Sequence, residues 1–137
     1  MRRDDIGDIP RHECWDLLRT VSVGRLALSV SALPAILPVQ YYLEGDELAA
    51  CLGHYTVPLV AVDDVVVAFA ADHIGPGDRA GWSVQVQGLA SIPKHLSVPV
   101  DCGQPTAGQI IRIAPVNITG HRIQLCPFVS SHGGTIH

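Results

Sequence analysis

Charge is scarce in this chain of 137 residues: Asp, Glu, Lys and Arg make up only 16% of it, and 9 basic against 13 acidic residues leave a formal net charge of −4. No basic patch interrupts that balance. The one local cluster, Arg2-Arg3, lies in a start that reads as a loose tail, which argues against a nucleic-acid partner. Long hydrophobic runs are missing too. The longest candidate, residues 57–71, is broken by Pro58 and by Asp63-Asp64, so nothing reaches the roughly 18 apolar residues that span a bilayer, and no membrane partner is expected. Residues 1–5, Met-Arg-Arg-Asp-Asp, lack the apolar stretch of a signal peptide, and the default expectation is the cytoplasm. The cysteines Cys14, Cys51, Cys102 and Cys126 show no CxxC spacing and read as reduced thiols in that compartment. The histidines form neither an HxH nor an HExxH pattern; Asp72-His73 is a tight carboxylate–histidine pair at a strand end, and no metal site is expected. No nucleophile elbow is present, which leaves a hydrolase without support.

What the chain has is apolar substance. Hydrophobic residues make up 47% and the mean hydropathy is +0.28, high for a small monomer and consistent with large surfaces covered by a second subunit. The length suits one domain with a real core. Residues 1–8 read as a flexible lead, 9–125 as the domain, and 126–137 as a frayed tail. Asp8 to Val21 is expected to be helical, with Asp8 as cap and Pro10 in the first turn; Cys14, Leu17, Leu18 and Val21 then form one apolar stripe. Strands follow. Residues 24–31 alternate Leu26, Leu28, Val30 against Arg25, Ala27, Ser29. Residues 35–43 and 47–52 flank the turn signal Glu44-Gly45-Asp46. Pro38 inside the second of these strands predicts an edge, a bulge or a corner. Residues 53–62 leave helix or loop open. Residues 65–71, continuously apolar, fit a strand buried on both faces or one facing a second subunit. A Gly/Pro loop over 75–81 precedes a strand over 82–92. Residues 93–108 read as a loop, 109–114 as a strand, and Asn117 to Arg122 as a turn leading to a short strand through Leu125. One helix and about six short strands predict a mainly β barrel or sandwich, a choice periodicity leaves open.

Three segments carry a resemblance. Val23-Gly24-Arg25-Leu26-Ala27-Leu28, then Pro34-Ala35-Ile36-Leu37-Pro38-Val39-Gln40-Tyr41, then Gly81-Trp82-Ser83-Val84-Gln85-Val86-Gln87-Gly88 stand in the order found in the pyridoxamine 5′-phosphate oxidase-like flavin-binding split barrels. The sequence resembles most the small actinobacterial branch, related to nitroimidazole-resistance-type proteins. The resemblance covers residues 9–92 and 109–122. It implies a six-stranded split β-barrel with one N-terminal helix and short connecting helices. It also implies a homodimer with FMN, or the deazaflavin F420, in a groove at the subunit interface.

By the same resemblance Leu37, Pro38, Val39 and Gln40 line the flavin ring, and His54, Tyr55 and Thr56 meet the phosphate. The sequence departs from the family just after this point, where a Lys or Arg is common; Val57-Pro58-Leu59-Val60 stands there instead. The lost charge-assisted contact is worth about 1.5–3 kcal/mol, roughly tenfold to a hundredfold in affinity. Arg25 compensates if it faces the groove, and is a solvated strand arginine if it does not. Trp82, Ser83 and Gln85 form the other candidate wall, with Gln87 on the same strand face as Gln85. For Trp82 a core or interface position is the competing role, and for the glutamines a solvent-facing one. The function implied is a flavin- or F420-dependent oxidoreductase of a small organic substrate, with no catalytic side chain identified. The alternatives are a non-catalytic flavin-binding module and a cofactor-free dimer.

Overall fold

Alternation along a strand demands a covered face, and six alternating strands can cover one another by closing into a ring. The computed structural model describes residues 8–53, 55, 57–77, 80–93 and 110–125, and in it the strands do so. The described elements are α1 (Arg11–Leu18), β1 (Val23–Val30), β2 (Leu33–Glu44), β3 (Glu47–Cys51), a 3-10 turn (Leu59–Ala61), β4 (Val65–Ile74), β5 (Ala80–Ser91) and β6 (Ile110–Gln124). The ring order is β1-β2-β3-β6-β5-β4, antiparallel throughout and closed by β1 against β4. This is the split β-barrel that the three segments imply. Residues 1–7 of the expected lead 1–8, the stretch 94–109 and the tail 126–137 lie outside the described residues, as do His54 and Thr56.

The interior is filled by one side of every strand. Leu26 and Leu28, Val39 and Tyr41, Val67, Phe69 and Ala71, and Trp82, Val84 and Val86 alternate inward from β1, β2, β4 and β5. Each such aliphatic or aromatic side chain taken out of water contributes about 1.5–3 kcal/mol. Tyr41 and Phe69 meet edge to face, with centroids 4.7 Å apart and planes at 66°. The alternation also explains Gly24: a Cβ there would run into the Phe69 ring and the Ala70 carbonyl of the neighbouring strand. The β2–β3 hairpin turns at Gly45, whose φ of +63° belongs to the left-handed region that glycine tolerates.

Four details depart from the sequence reading. The helix is shorter than residues 8–21, because Pro10 takes the cap position with an extended backbone and no side-chain cap bond. Asp8 is instead drawn into a bridge with His121 on β6, and the Ile9 N–H donates to the Gly120 carbonyl at 2.9 Å. Residues 117–120 carry turn residues yet run straight through β6, because pairing with the long β5 overrides the local preference; a register shift at Gln87/Gly88 absorbs the irregularity. β4 is not buried on both faces within one chain: Val67, Phe69 and Ala71 point in, while Val66 is 71% exposed. Finally, Cys51 is disulfide-bonded rather than reduced, whereas Cys14 is a free, buried thiol. No helix among the described residues is long and apolar enough to cross a membrane.

Pro38 sits where its missing N–H does least harm. Residues 33–40 of β2 pair with β1, and only residues 40–44 pair with β3. Along 33–39, then, one backbone edge of β2 has no partner strand among the described residues. That is the split in the barrel, and a proline is tolerated on such an edge.

Candidate functional site

If one side of each strand fills the barrel, the other side makes the outer face, and the register says which residues lie side by side there. One row runs Pro38, Arg25, Ala70, Gln85, Thr119 across β2, β1, β4, β5 and β6. The next runs Ile36, Ala27, Ala68, Gln87, Asn117. On the other side of the first row, Gln40 stands opposite Val23, and Asp72 opposite Ser83, which stands opposite His121. Directly opposite residues on such a face are about 5 Å apart, within mutual reach.

This sorts the candidates in a way the motifs alone could not. Arg25, Pro38, Gln40, Ser83 and Gln85 share the outer face. Leu37, Val39 and Trp82 do not. Val39 is 3% and Trp82 8% exposed, and Leu37 packs against the same core. Four consecutive residues of a strand cannot all present side chains to one ring, because the pleat sends them alternately to opposite sides. The Tyr41 N–H donates to the Ser22 carbonyl, and by alternation Val39 and Leu37 also turn their backbone groups toward β1, so the groups along the open edge of β2 belong to Ile36 and Pro38. For Trp82 the core position is the one observed.

Tyr55 lies in the connection after β3, exposed, with its N–H donated to the Leu52 carbonyl at 3.1 Å. Arg79 lies outside the described residues, like His54 and Thr56. Arg25 is two strands from Cys51, where that connection begins. At about 5 Å per strand and one two-residue step along them, their Cα atoms are roughly 12 Å apart. Arg25 therefore stands beside this loop rather than within it.

Among the described residues, the rows of this face carry one arginine, Arg25. Arg19, Arg112 and Arg122 are engaged by Asp16, by Glu44 with Glu47, and by Glu13 respectively. Arg25 has no ion-pair or hydrogen-bond partner among the described residues. Burial raises the Tyr41 phenol far above its ordinary range, and its hydroxyl donates to the Leu18 carbonyl at 2.5 Å. Tyr42 is raised by burial and then by Glu44, against the opposing pull of Arg112. Burial, with Glu13 adding to it, raises the Cys14 thiol. None of the three is primed to ionise, so proton transfer by these groups at neutral pH has no support. No group of three or more His, Cys, Asp or Glu among the described residues could hold a metal ion.

Some participants carried little sequence signal. Asn117 Nδ2 donates to Gln87 Oε1 at 3.2 Å, and His121 Nδ1 lies 3.1 Å from Asp8 Oδ1. Both pairs depend on β6 running unbroken past residues that look like a turn. Only the β5–β6 register could have found them.

Comparison with known proteins gives this face a context. The family model described as pyridoxamine 5′-phosphate oxidase matches residues 10–98. An uncharacterized protein of Mycobacterium tuberculosis is 32% identical over 131 residues, covering 87% of this chain and 86% of its own length. A solved FAD binding protein from Mycobacterium smegmatis superposes with a TM-score of 0.68 at 26% identity, covering 87% of this chain and 99% of that one. A FAD-binding protein from Mesorhizobium loti, at 19% identity, superposes with a TM-score of 0.65 over 85% of this chain and 96% of its own, and speaks for the fold alone.

Proposed function

The chain belongs to the pyridoxamine 5′-phosphate oxidase family, and we propose that it holds a flavin, FMN in the first instance, on its outer sheet face between two copies of itself and serves as an oxidoreductase of a small organic substrate. The observation that carries this reading is the gathering of Arg25, Pro38, Gln40, Ser83 and Gln85 on a single uncovered face. The similar protein of Mycobacterium smegmatis is described as FAD-binding, which supports a flavin as the class of ligand.

The residues present suit such a group. A flat ring system needs an apolar bed and edge donors. The outer face offers Ile36, Val66 and Leu89 as exposed apolar bulk, and the open edge of β2 offers backbone amides and carbonyls. The Ser83 hydroxyl and the Gln85 amide give hydrogen bonds to the ring edge, and Arg25 adds positive charge to the face beside them. A bound flavin supplies two-electron redox chemistry. The chain's own part is to seat it, orient it and keep water away. Leu37, Val39 and Trp82 hold the floor rigid from beneath, and a second copy over the apolar outer residues would exclude solvent. His54, Tyr55 and Thr56 are the groups for the phosphate, without the cation that Val57-Pro58 displaces.

That missing cation favours a second reading, a deazaflavin such as F420 or a cofactor-free dimer. Fluorescence titration of FMN with the purified protein separates them. Saturable quenching at micromolar or tighter Kd is the expected result. A flat titration together with a stable dimer in sedimentation would move the assignment to the second reading, and a stable monomer would remove both.

A further inference from the structure

Beside Arg25 the outer face is not flat. Ala27, Leu28, Ser29 and Pro34 on one side and Val66, Val67, Ala68 and Gln87 on the other enclose a shallow recess of about 270 Å³. Its polar side chains are Ser29 and Gln87, and no acidic side chain among the described residues lines it. Asn117 occupies Gln87 Oε1, so the Gln87 amide turns its remaining N–H donors to other partners. Arg25 follows the lining residue Ala27 on the same face by one two-residue step, about 6.6 Å at Cα, within the reach of a guanidinium. Asp72 lies past Arg25 on the far side from the recess, and Asp64 stands exposed two residues before the lining residue Val66, just ahead of β4. A site furnished with donors and a cation, in a chain whose net charge is −4, selects an acceptor-rich anion.

Size narrows the class. An apolar cavity of about 150 Å³ accommodates benzene, whereas sites for drug-sized ligands begin at about 300 Å³. The recess therefore fits one ring and a small substituent, and falls short of a three-ring flavin with its side chain.

We propose that this recess binds a single-ring aromatic carboxylic acid, its ring on Ala27 and Ala68 and its carboxylate on Arg25. Binding by itself does not depend on the flavin reading; calling the acid a substrate does. The recess is then the substrate subsite beside the cofactor, and Arg25 discriminates acids from neutral analogues.

Calorimetric titration of the intact protein with benzoate, and with benzamide as the uncharged control, tests this. Saturable benzoate binding, about tenfold tighter than benzamide, is expected. Arg25→Met should erase that preference while leaving benzamide affinity in place, and Ala68→Leu, which fills the recess, should weaken both ligands. Thermal melting checks that each variant is folded. The inference is overturned if wild type gives no saturation at millimolar benzoate, or if neither variant changes it. It is equally overturned if Ala68→Leu splits a dimer without affecting benzoate, since a second copy then fills the recess. FMN quenching by the wild type is the separate readout. Benzoate binding without FMN binding defeats the flavin reading and leaves the recess assignment standing; FMN binding without benzoate does the reverse.

Discussion

Replacing Tyr41 by Phe removes one oxygen from the core and nothing else. The ring stays against Phe69, so the aromatic packing survives. What goes is the hydrogen bond from the phenol to the Leu18 carbonyl, across 2.5 Å. That carbonyl belongs to the last turn of α1, where helix carbonyls have no partner of their own. A typical hydrogen bond contributes about 0.5–1.5 kcal/mol, and a buried acceptor left alone costs about 1–3 kcal/mol. Tyr41→Phe should therefore destabilise the fold by about 1–2 kcal/mol. At about 4 °C per kcal/mol for a chain of this size, the melting temperature should fall by about 4–8 °C.

The pH dependence gives a second, independent signature. The folded phenol holds its proton above the ordinary value of 10.0, while the unfolded one releases it there. Above that pH the native state binds more protons than the unfolded state, so stability falls as pH rises, by up to about 1.4 kcal/mol per unit. Below it this contribution is fully present. Urea denaturation at pH 7 and near pH 11 measures both effects. Tyr41→Phe should lose stability at pH 7 and lose less than wild type on going alkaline. Tyr55→Phe, at an exposed position, is the control and should lie within about 0.5 kcal/mol of wild type. A neutral Tyr41→Phe, or one with the wild-type alkaline slope, would refute the argument.

Two further predictions concern charge and sulfur. Arg112 touches both Glu44 and Glu47, which stand directly opposite each other on the β2–β3 hairpin; Arg112→Ala should cost about 1 kcal/mol in thermal denaturation, and Glu44→Gln should recover part of it in a double-mutant cycle. Thiol titration of the unfolded, unreduced protein should find fewer than the 4 cysteines of the chain, with all of them appearing after a dithiol reductant; four thiols at the outset would contradict the bond at Cys51.

The strands were legible in the alternation of Leu26 with Arg25 or Val84 with Gln85, because one-sided burial leaves a period of two in the sequence, while their closure into a barrel rather than a sandwich rested on the resemblance of the three segments. The Glu44-Gly45-Asp46 turn was legible because only glycine readily takes its backbone angle there. The candidate site was half legible. Its segments could be named, yet which side chains face outward within Leu37-Pro38-Val39-Gln40 depends on register, and no local pattern states the register. The same holds for Asp8. Locally it is a plausible helix cap, and only the arrival of His121 from far along the chain claims it. Asn117 to Gly120 misled for the converse reason: turn-forming residues were held in a strand by a long neighbour.

That neighbour-dependence has a consequence for synthesis. β6 is the only described strand that joins β3 to β5, and it follows all the other described strands in sequence. Until its 15 residues leave the ribosome, β3 and β5 each present an unpaired edge and the interior stands open along one side. The nascent chain must wait with exposed edges and then close through its most distant contacts, the circumstance in which β proteins fold slowly and associate wrongly. A chain that stops before residue 110 is therefore an adhesive sheet rather than a smaller barrel, and how fast translation delivers residues 110–124 governs how much of the protein is recovered folded.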